Sequence, residues 1–213
     1  MKFILENLIG IVSITILTLN TIILSCLLIP LGLIKFFLPI TNIKVLFTKF
    51  IINIGELWIF TNKIWVKALH KPNWEIIGKE NIKSNGWTIA TSNHQSFADI
   101  FLLQDITNMK MPMLKFFMKY VLIYVPIIGL SWWALDMPFL KRYTKKQLEK
   151  NPKLVGKDVK EMKRALKHYS LYPVTVFSFA EGTRFTVKKH RNQNSPFDCL
   201  LYTSDAADDG VGV

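Results

Sequence analysis

The sequence predicts an α/β fold, in which helices flank a mixed sheet, preceded at the N-terminus by a membrane helix or hairpin. Two observations carry this prediction. No charged residue occurs between Asn7 and Ile34, and short apolar runs at 87–91 and 174–179 have the length and flanking turns of strands. Helical patterns lie between these runs, and strands that alternate with helices are typical of α/β proteins.

The uncharged N-terminal segment is long enough to cross a bilayer, which requires about 20 apolar residues. It is too long for a secretory signal peptide, and no small-x-small cleavage site follows it. Pro30 and Gly32 could break the helix near its end, so a span and a re-entrant hairpin both stay open. Lysines follow the segment but only Lys2 precedes it, which places everything after Lys35 in the cytoplasm.

Residues 43–69 combine large apolar side chains with regularly spaced lysines. Lys44, Lys49 and Glu56 would make a second membrane span costly. Two interpretations stay open for this segment. It is either an amphipathic helix lying on the membrane interface or an ordinary helix packed on the domain.

Beyond residue 70 the pattern alternates between strands and helices. Strands are predicted at 74–78, 87–92, 137–140 and 174–179, and a helix ends near Thr107. Residues 111–135 are almost wholly apolar, but they contain two lysines and are interrupted by Pro126 and Gly129. They are therefore predicted to form a strand and short buried helices, which could also line a groove for an alkyl chain.

A lysine-rich helix is predicted to start at Thr144. It is expected to bend or break near Pro152 and Gly156 and to continue from Lys157 to about Tyr169.

The formal net charge is +12, and most of the excess lies between residues 141 and 191. Because the same chain carries a membrane segment, lipid headgroups are the expected partner, although some of these lysines simply face solvent. No nucleic-acid-binding motif occurs, so no nucleic acid is expected. Cys26 and Cys199 lack the spacing of a disulfide framework or a metal site, and no metal is expected.

His94 and Asp99 follow the strand predicted to end at Ser92. Side chains five residues apart point to different faces of one helix, so the two can meet only if His94 lies in the turn before the helix. Asn93 and Ser96 are suitable N-cap residues for such a helix. A turn-borne His held by a carboxylate suits a general base, although a structural His at a helix start gives the same pattern.

Two further strand ends carry polar residues. Lys141 and Arg142 follow the strand at 137–140, and Glu181-Gly182-Thr183-Arg184 follows the strand at 174–179. Arginine binds phosphate through two hydrogen bonds, and glycine lets the backbone approach a ligand closely. In α/β sheets, functional sites gather beyond the strand ends, so these residues are expected to converge with His94.

These residues resemble the glycerolipid acyltransferases, and in particular the lysophosphatidic acid acyltransferase (1-acylglycerol-3-phosphate O-acyltransferase) family. Residues 93–99 resemble its H-x-x-x-x-D block, residues 139–142 its second block, and residues 179–184 its Glu-Gly-Thr-Arg block. The blocks occur in the family's order, within about residues 70–195. Residues 125–136 further resemble a bacterial, membrane-bound branch.

The resemblance implies a glycerolipid acyltransferase-like fold and a role in phospholipid biosynthesis. An acyl chain would pass from acyl-CoA or acyl carrier protein, as co-substrate, to the free hydroxyl of a lysophospholipid, foremost 1-acylglycerol-3-phosphate. His94 and Asp99 would form the general base pair, and no cofactor is implied. The implied substrate-binding residues are Arg142, Glu181, Gly182, Thr183 and Arg184. The expected location is the bacterial inner membrane, with the catalytic domain on its cytoplasmic side.

Four parts are therefore predicted. A membrane-anchoring segment covers 1–40, an amphipathic helix 41–70 and an acyltransferase domain 71–199. Residues 200–213 are acidic and small, unlike the rest, and look like translated adapter sequence on a chain truncated before the family's fourth block.

Two other functions stay open. One is a transacylase that moves chains between phospholipids without a thioester. The other is a catalytically inactive lipid-binding membrane module.

Overall fold

Two long antiparallel helices precede a domain of short helices and strands. The computed structural model describes residues 2–82, 85–141, 143, 145–180 and 184–186. Helix α1 covers Lys2–Phe37 and helix α2 covers Thr41–His70. Among the described residues, only α1 has the length and composition to cross a membrane.

In its described residues, the domain has four helices, three 3₁₀ turns and five strands. The helices are α3 (Ala98–Thr107), α4 (Ile128–Ala134), α5 (Lys145–Lys150) and α6 (Lys157–Tyr169), and the 3₁₀ turns cover Lys79–Asn81, Tyr120–Tyr124 and Pro152–Leu154. The strands are β1 (Thr88–Ser92), β2 (Leu114–Phe116), β3 (Met118–Lys119), β4 (Phe139–Leu140) and β5 (Thr175–Phe179).

All described strand pairs are parallel, so the prediction of a mixed sheet is wrong for this part of the chain. One sheet has the order β1-β5-β2, and β3 pairs with β4 in a second sheet. The connections from β1 to β2 and from β2 to β5 carry helices, so each strand returns in the same direction. In the register of the first sheet, Ser92 lies beside Phe179 and Phe116 beside Phe177.

The predicted strand at 74–78 is also wrong. Residues 74–76 are irregular, and a turn follows in which Gly78 adopts a φ of 77°. Ile77 is 91% exposed, so the apolar pair that suggested a strand is not packed against a sheet. The strands predicted at 87–92, 137–140 and 174–179 are confirmed to within a residue or two.

Most of the helix predictions hold where the structure describes them. Helix α3 ends at Thr107, and the lysine-rich region breaks between α5 and α6. Residues 111–135 form two short strands, a 3₁₀ turn and helix α4, but the 3₁₀ turn contains no buried residue, so the prediction of buried helices is wrong for residues 120–124. The predicted cap Thr144 lies outside the described residues. Helix α1 continues through Pro30 to Phe37, so the break considered at Pro30 and Gly32 does not occur.

Polar side chains join α1 to α2 over much of their length. Ser13 Oγ lies 2.8 Å from His70 Nε2, Asn20 donates to Asn62 Oδ1 at 2.9 Å, and Trp58 Nε1 donates to a threonine of α1. These contacts pair the start of α1 with the end of α2, so the helices run side by side in opposite directions.

The opposite side of α2 packs on the domain. Lys63 forms an ion pair with Asp105 of α3 at 2.5 Å, and Asn108 donates to the carboxylate of Glu56. Burial raises the pKa of Glu56, although the hydrogen bonds from Met109 and Asn108 and the charge of a nearby lysine act in the opposite direction. An apolar cluster continues the interface from α1 through α2 to the domain, with members Leu28, Ile51, Ile59, Met113, Leu135 and Met137. Helix α2 therefore contacts α1 on one side and the domain on another.

The end of α1 is fixed to the domain by a buried ion pair. Lys35 Nζ donates to Ala134 O at 2.7 Å and to the carboxylate of Asp136 at 2.8 and 2.9 Å. Burial alone would raise the pKa of Asp136, but His168, whose Nε2 lies 3.4 Å from Oδ2, and the charges of Lys35 and Lys115 hold it well below its usual range. Burial lowers the pKa of Lys115, which is fully enclosed, to about 8.

Gly32 tests this contact between α1 and α4. A Cβ at Gly32 would lie 2.5 Å from Ala134 Cβ, whereas a Cβ at Gly10, on the same helix, would meet nothing within 4 Å. We expect Gly32→Ala to lower the free energy of unfolding by about 1–3 kcal/mol, because the two helices must separate. Gly10→Ala should raise it by up to about 1 kcal/mol, because alanine favours the helix.

The measurement is the thermal unfolding of both variants in the same detergent, followed by circular dichroism. Equal stabilisation by the two substitutions would contradict the packing of α1 on α4.

Candidate active site

His94 lies in the turn between β1 and α3, where the sequence places it. Strand β1 ends at Ser92, α3 begins at Ala98, and Asp99 occupies the first turn of that helix. His94 Nδ1 lies 3.0 Å from Asp99 Oδ2. Since Nδ1 faces this carboxylate, the other ring nitrogen, Nε2, is the one that can act on a substrate.

Asp99 also organises the backbone of this turn. Its Oδ2 accepts hydrogen bonds from the backbone N–H groups of Gln95 at 2.7 Å and Ser96 at 2.8 Å. Burial acts to raise the pKa of Asp99, but the hydrogen bonds from Ser96, His94 and Gln95 together lower it below its ordinary value. The carboxylate is thus held ionised beside the ring.

The predicted N-caps are only partly right. Phe97 occupies the N-cap position and makes no side-chain cap. Ser96 Oγ accepts a hydrogen bond from the Ala98 N–H at 3.2 Å, while Asp99 satisfies the earlier donors.

The ring of His94 stacks on Phe179, a residue that sequence reasoning did not single out. The two ring centroids are 4.0 Å apart and the ring planes differ by 17°. Phe179 ends β5 beside Ser92, and it contacts the rings of Phe177 and Phe116 on the same sheet. The alternation of Phe177 and Phe179 in the sequence was the available signal, but the stacking depends on the register of two distant strands.

Arg184 lies beside the His94 turn. Its guanidinium carbon is 4.4 Å from the centre of the Phe97 ring, and the Phe185 N–H donates to the His94 carbonyl at 2.7 Å. An arginine stacked on an aromatic ring keeps the N–H groups at its edges directed outward. Arg184, the last residue of the Glu-Gly-Thr-Arg block, therefore contacts the block that contains His94 and Asp99.

Four predicted site residues lie outside the described residues: Arg142, Glu181, Gly182 and Thr183. The two residues before Arg142 in the sequence are described. Leu140 is the last residue of β4, and Lys141 Nζ lies 4.4 Å from the centre of the Tyr120 ring. In the described part of the chain, no three side chains of metal-binding type lie close enough to hold an ion.

Comparison with known proteins identifies the family. The family model for the acyltransferases matches residues 73–198, which is more than half of the chain and includes β1, the His94 turn, β5 and Arg184. A search of curated proteins and a search of solved structures found no match. The chain therefore belongs to the acyltransferase family and is an enzyme that transfers acyl groups.

Proposed function

We propose that the enzyme transfers an acyl chain from acyl-CoA or acyl carrier protein to the free hydroxyl of a lysophospholipid, foremost 1-acylglycerol-3-phosphate. The observation that carries this proposal is a His–Asp pair, suited to act as a general base, with an arginine beside the same turn. His94 contacts Asp99 at 3.0 Å, and Arg184 stacks on Phe97, three residues beyond His94. A general base next to an anion-binding group fits an acceptor with a hydroxyl near a phosphate.

The reaction needs no nucleophilic side chain. Nε2 of His94 takes the hydroxyl proton as the acceptor oxygen attacks the thioester carbonyl, and a tetrahedral oxyanion forms. When this intermediate collapses, the carbon–sulfur bond breaks and the thiolate takes the proton from His94, which releases the ester and the free thiol. Asp99 holds the proton on Nδ1 and faces the positive charge that develops on the ring.

The arginines are proposed to bind the phosphate of the acceptor. The guanidinium carbon of Arg184 lies 4.4 Å from the centre of the Phe97 ring, and we propose that its N–H groups meet the phosphate oxygens. By the family resemblance, Arg142 shares this role, Glu181 orients an arginine or accepts from a hydroxyl, and Gly182 and Thr183 shape the pocket.

The helix pair suggests how the enzyme meets the bilayer. Helix α2 lies between α1 and the domain, with Lys63 and Asp105 paired at that interface. If α1 crossed the hydrocarbon, α2 and part of the domain would be drawn in with it, at a large cost for their charges. We therefore propose that the exposed apolar side of α1 enters one leaflet, on the cytoplasmic face of the bacterial inner membrane.

The first prediction from the proposed function concerns His94. We expect His94→Ala to lower kcat about 10²- to 10⁴-fold, because the general base is lost. His70→Ala is the matched control, since His70 contacts Ser13 of α1 and lies outside the site. The assay measures ester formation and free thiol from acyl-CoA and lysophosphatidic acid, together with sedimentation of the protein on vesicles.

The other open functions give different results in this assay. Ester formation without thiol release would indicate a transacylase. Vesicle binding without any transfer by the unaltered enzyme would indicate a lipid-binding module, and full activity of His94→Ala would refute the proposed base.

The second prediction concerns Asp99. Asp99→Asn should lower kcat and leave the KM of the acceptor nearly unchanged, because the amide neither fixes the ring tautomer nor faces the positive charge of the ring as a carboxylate does.

The same variant should change the pH dependence of stability. Since folding lowers the pKa of Asp99, this carboxylate stabilises the protein above its unfolded pKa of about 4, and the contribution is lost as the pH falls through the folded pKa. Unfolding of the variant should therefore depend less on pH in this acidic range; an unchanged dependence would contradict the assignment.

The third prediction concerns Phe179. Phe179→Leu should lower kcat more than it raises KM, because the ring of His94 loses its stacking surface, and Phe179→Tyr should restore most of the activity. Phe116→Leu is the control, since Phe116 contacts Phe179 but belongs to another strand. Full pH–rate profiles of the three variants separate positioning of the base from general damage, and equal losses for positions 116 and 179 would count against a specific role.

A further inference from the structure

Residues 120–130 form an exposed apolar surface that the proposed reaction does not use. Val121 is 64% exposed, Tyr124 72% and Leu130 46%, and Val125 and Ile127 are also exposed. This set of residues is called the 120–130 surface below. Large apolar side chains gathered in one exposed segment indicate an interaction site more often than single ones do.

The 120–130 surface is attached to α1 through the residues that follow it. Ser131, the residue after Leu130, donates from its Oγ to Ser25 Oγ at 2.8 Å, and Trp133 contacts the ring of Phe36. Ile22 and Ile23, which lie close to Ser25 along α1, are exposed. The 120–130 surface is therefore attached to α1 where α1 itself carries exposed apolar side chains.

The backbone holds this surface outward. Ile127 adopts φ 65° and ψ −60°, and the Ile128 N–H donates to the Pro126 carbonyl at 2.6 Å, which closes a γ-turn. A positive φ is strained for a β-branched residue, so the surrounding structure must impose it. Gly129 lets α4 pack closely on the 3₁₀ turn, because a Cβ there would lie 2.3 Å from the Ile123 carbonyl oxygen.

The charges around the surface have one sign. No acidic residue occurs from Ile106 to Leu135. Lys119 and Lys141 flank the surface, and Lys141 Nζ lies 4.4 Å from the centre of the Tyr120 ring. Apolar side chains with tyrosines and lysines at their border fit the headgroup region of an anionic bilayer.

We propose that the 120–130 surface is a second membrane contact, which enters an anionic phospholipid bilayer beside α1. It rests on the membrane association proposed above. Strand β3 comes directly before the 3₁₀ turn of this surface and pairs with β4. The residues after β4 lead to Arg142. The contact would hold the chain just before Arg142 at the lipid surface, where a lysophospholipid could reach the site without leaving the membrane.

The test uses an environment-sensitive fluorophore on single cysteines of the full chain, with Cys199→Ser in every variant. The probe is placed on Val121→Cys or on Val155→Cys, each with Cys26→Ser, or on the native Cys26, which is exposed on α1. Val155 is the matched control, because it is a valine with the same 64% exposure. Each labelled protein is bound to phosphatidylcholine vesicles with and without phosphatidylglycerol, and is quenched by doxyl-labelled lipid or by aqueous iodide.

We expect the probe at 121 to shift its emission to the blue, to be quenched by the doxyl lipid and to be protected from iodide, most strongly with phosphatidylglycerol. The probe at 155 should remain accessible to iodide. Equal lipid quenching at 155 would overturn the proposal, because the contact would not be specific to this surface.

The probe on Cys26 separates this proposal from the one on which it rests. Lipid quenching at Cys26 with iodide access at 121 would refute the second contact alone. Iodide access at both would refute the membrane association as well. Protection at 121 from both quenchers that depends on protein concentration would assign the surface to a second copy of the chain and would also overturn the proposal.

Discussion

The parallel pairing of β1 with β5 is the constraint on which the candidate site depends. It sets Phe179 beside Ser92, and the backbone contact from Ala180 to Ser92 at 3.0 Å extends the pairing by one residue. The two strands are far apart in the sequence, yet His94 follows one of them and Arg184 the other. The contacts of His94 with Phe179 and of Phe185 with the His94 carbonyl are consequences of this single register.

The sequence predicts the local features of the site better than the tertiary ones. The offset between His94 and Asp99 allows only one arrangement around a helix start, and that arrangement is observed. Phe179 could not be assigned in this way, because a phenylalanine at a strand end has the same pattern whether it packs in a core or against the ring of His94. The false strand at 74–78 has a related cause, since apolar residues predict a strand only where a sheet is present to receive them.

Residues 43–69 form a helix that packs on the domain along one side. Two of its lysines have a partner there, because Lys63 meets Asp105 and Lys67 lies 3.6 Å from the same carboxylate. Large apolar side chains of the same helix remain exposed, so both interpretations of this segment stay open; they are Leu46, Phe50, Leu57, Phe60 and Ile64. Hydrophobic patterning shows that a helix has an apolar face, but it does not identify what covers that face. Here α1 and the domain cover only part of the helix, because Leu57, Phe60 and Ile64 remain exposed.

The buried ion pair between Lys35 and Asp136 makes the N-terminal helix an integral part of the folded enzyme. A shortened protein without α1 would lose the contact of Lys35 with the Asp136 carboxylate, which would keep its hydrogen bond from Tyr172. It would also uncover the apolar cluster around Ile51. Soluble fragments of this acyltransferase are therefore a poor substitute for the whole chain in detergent or lipid, even when every residue of the catalytic motifs is retained.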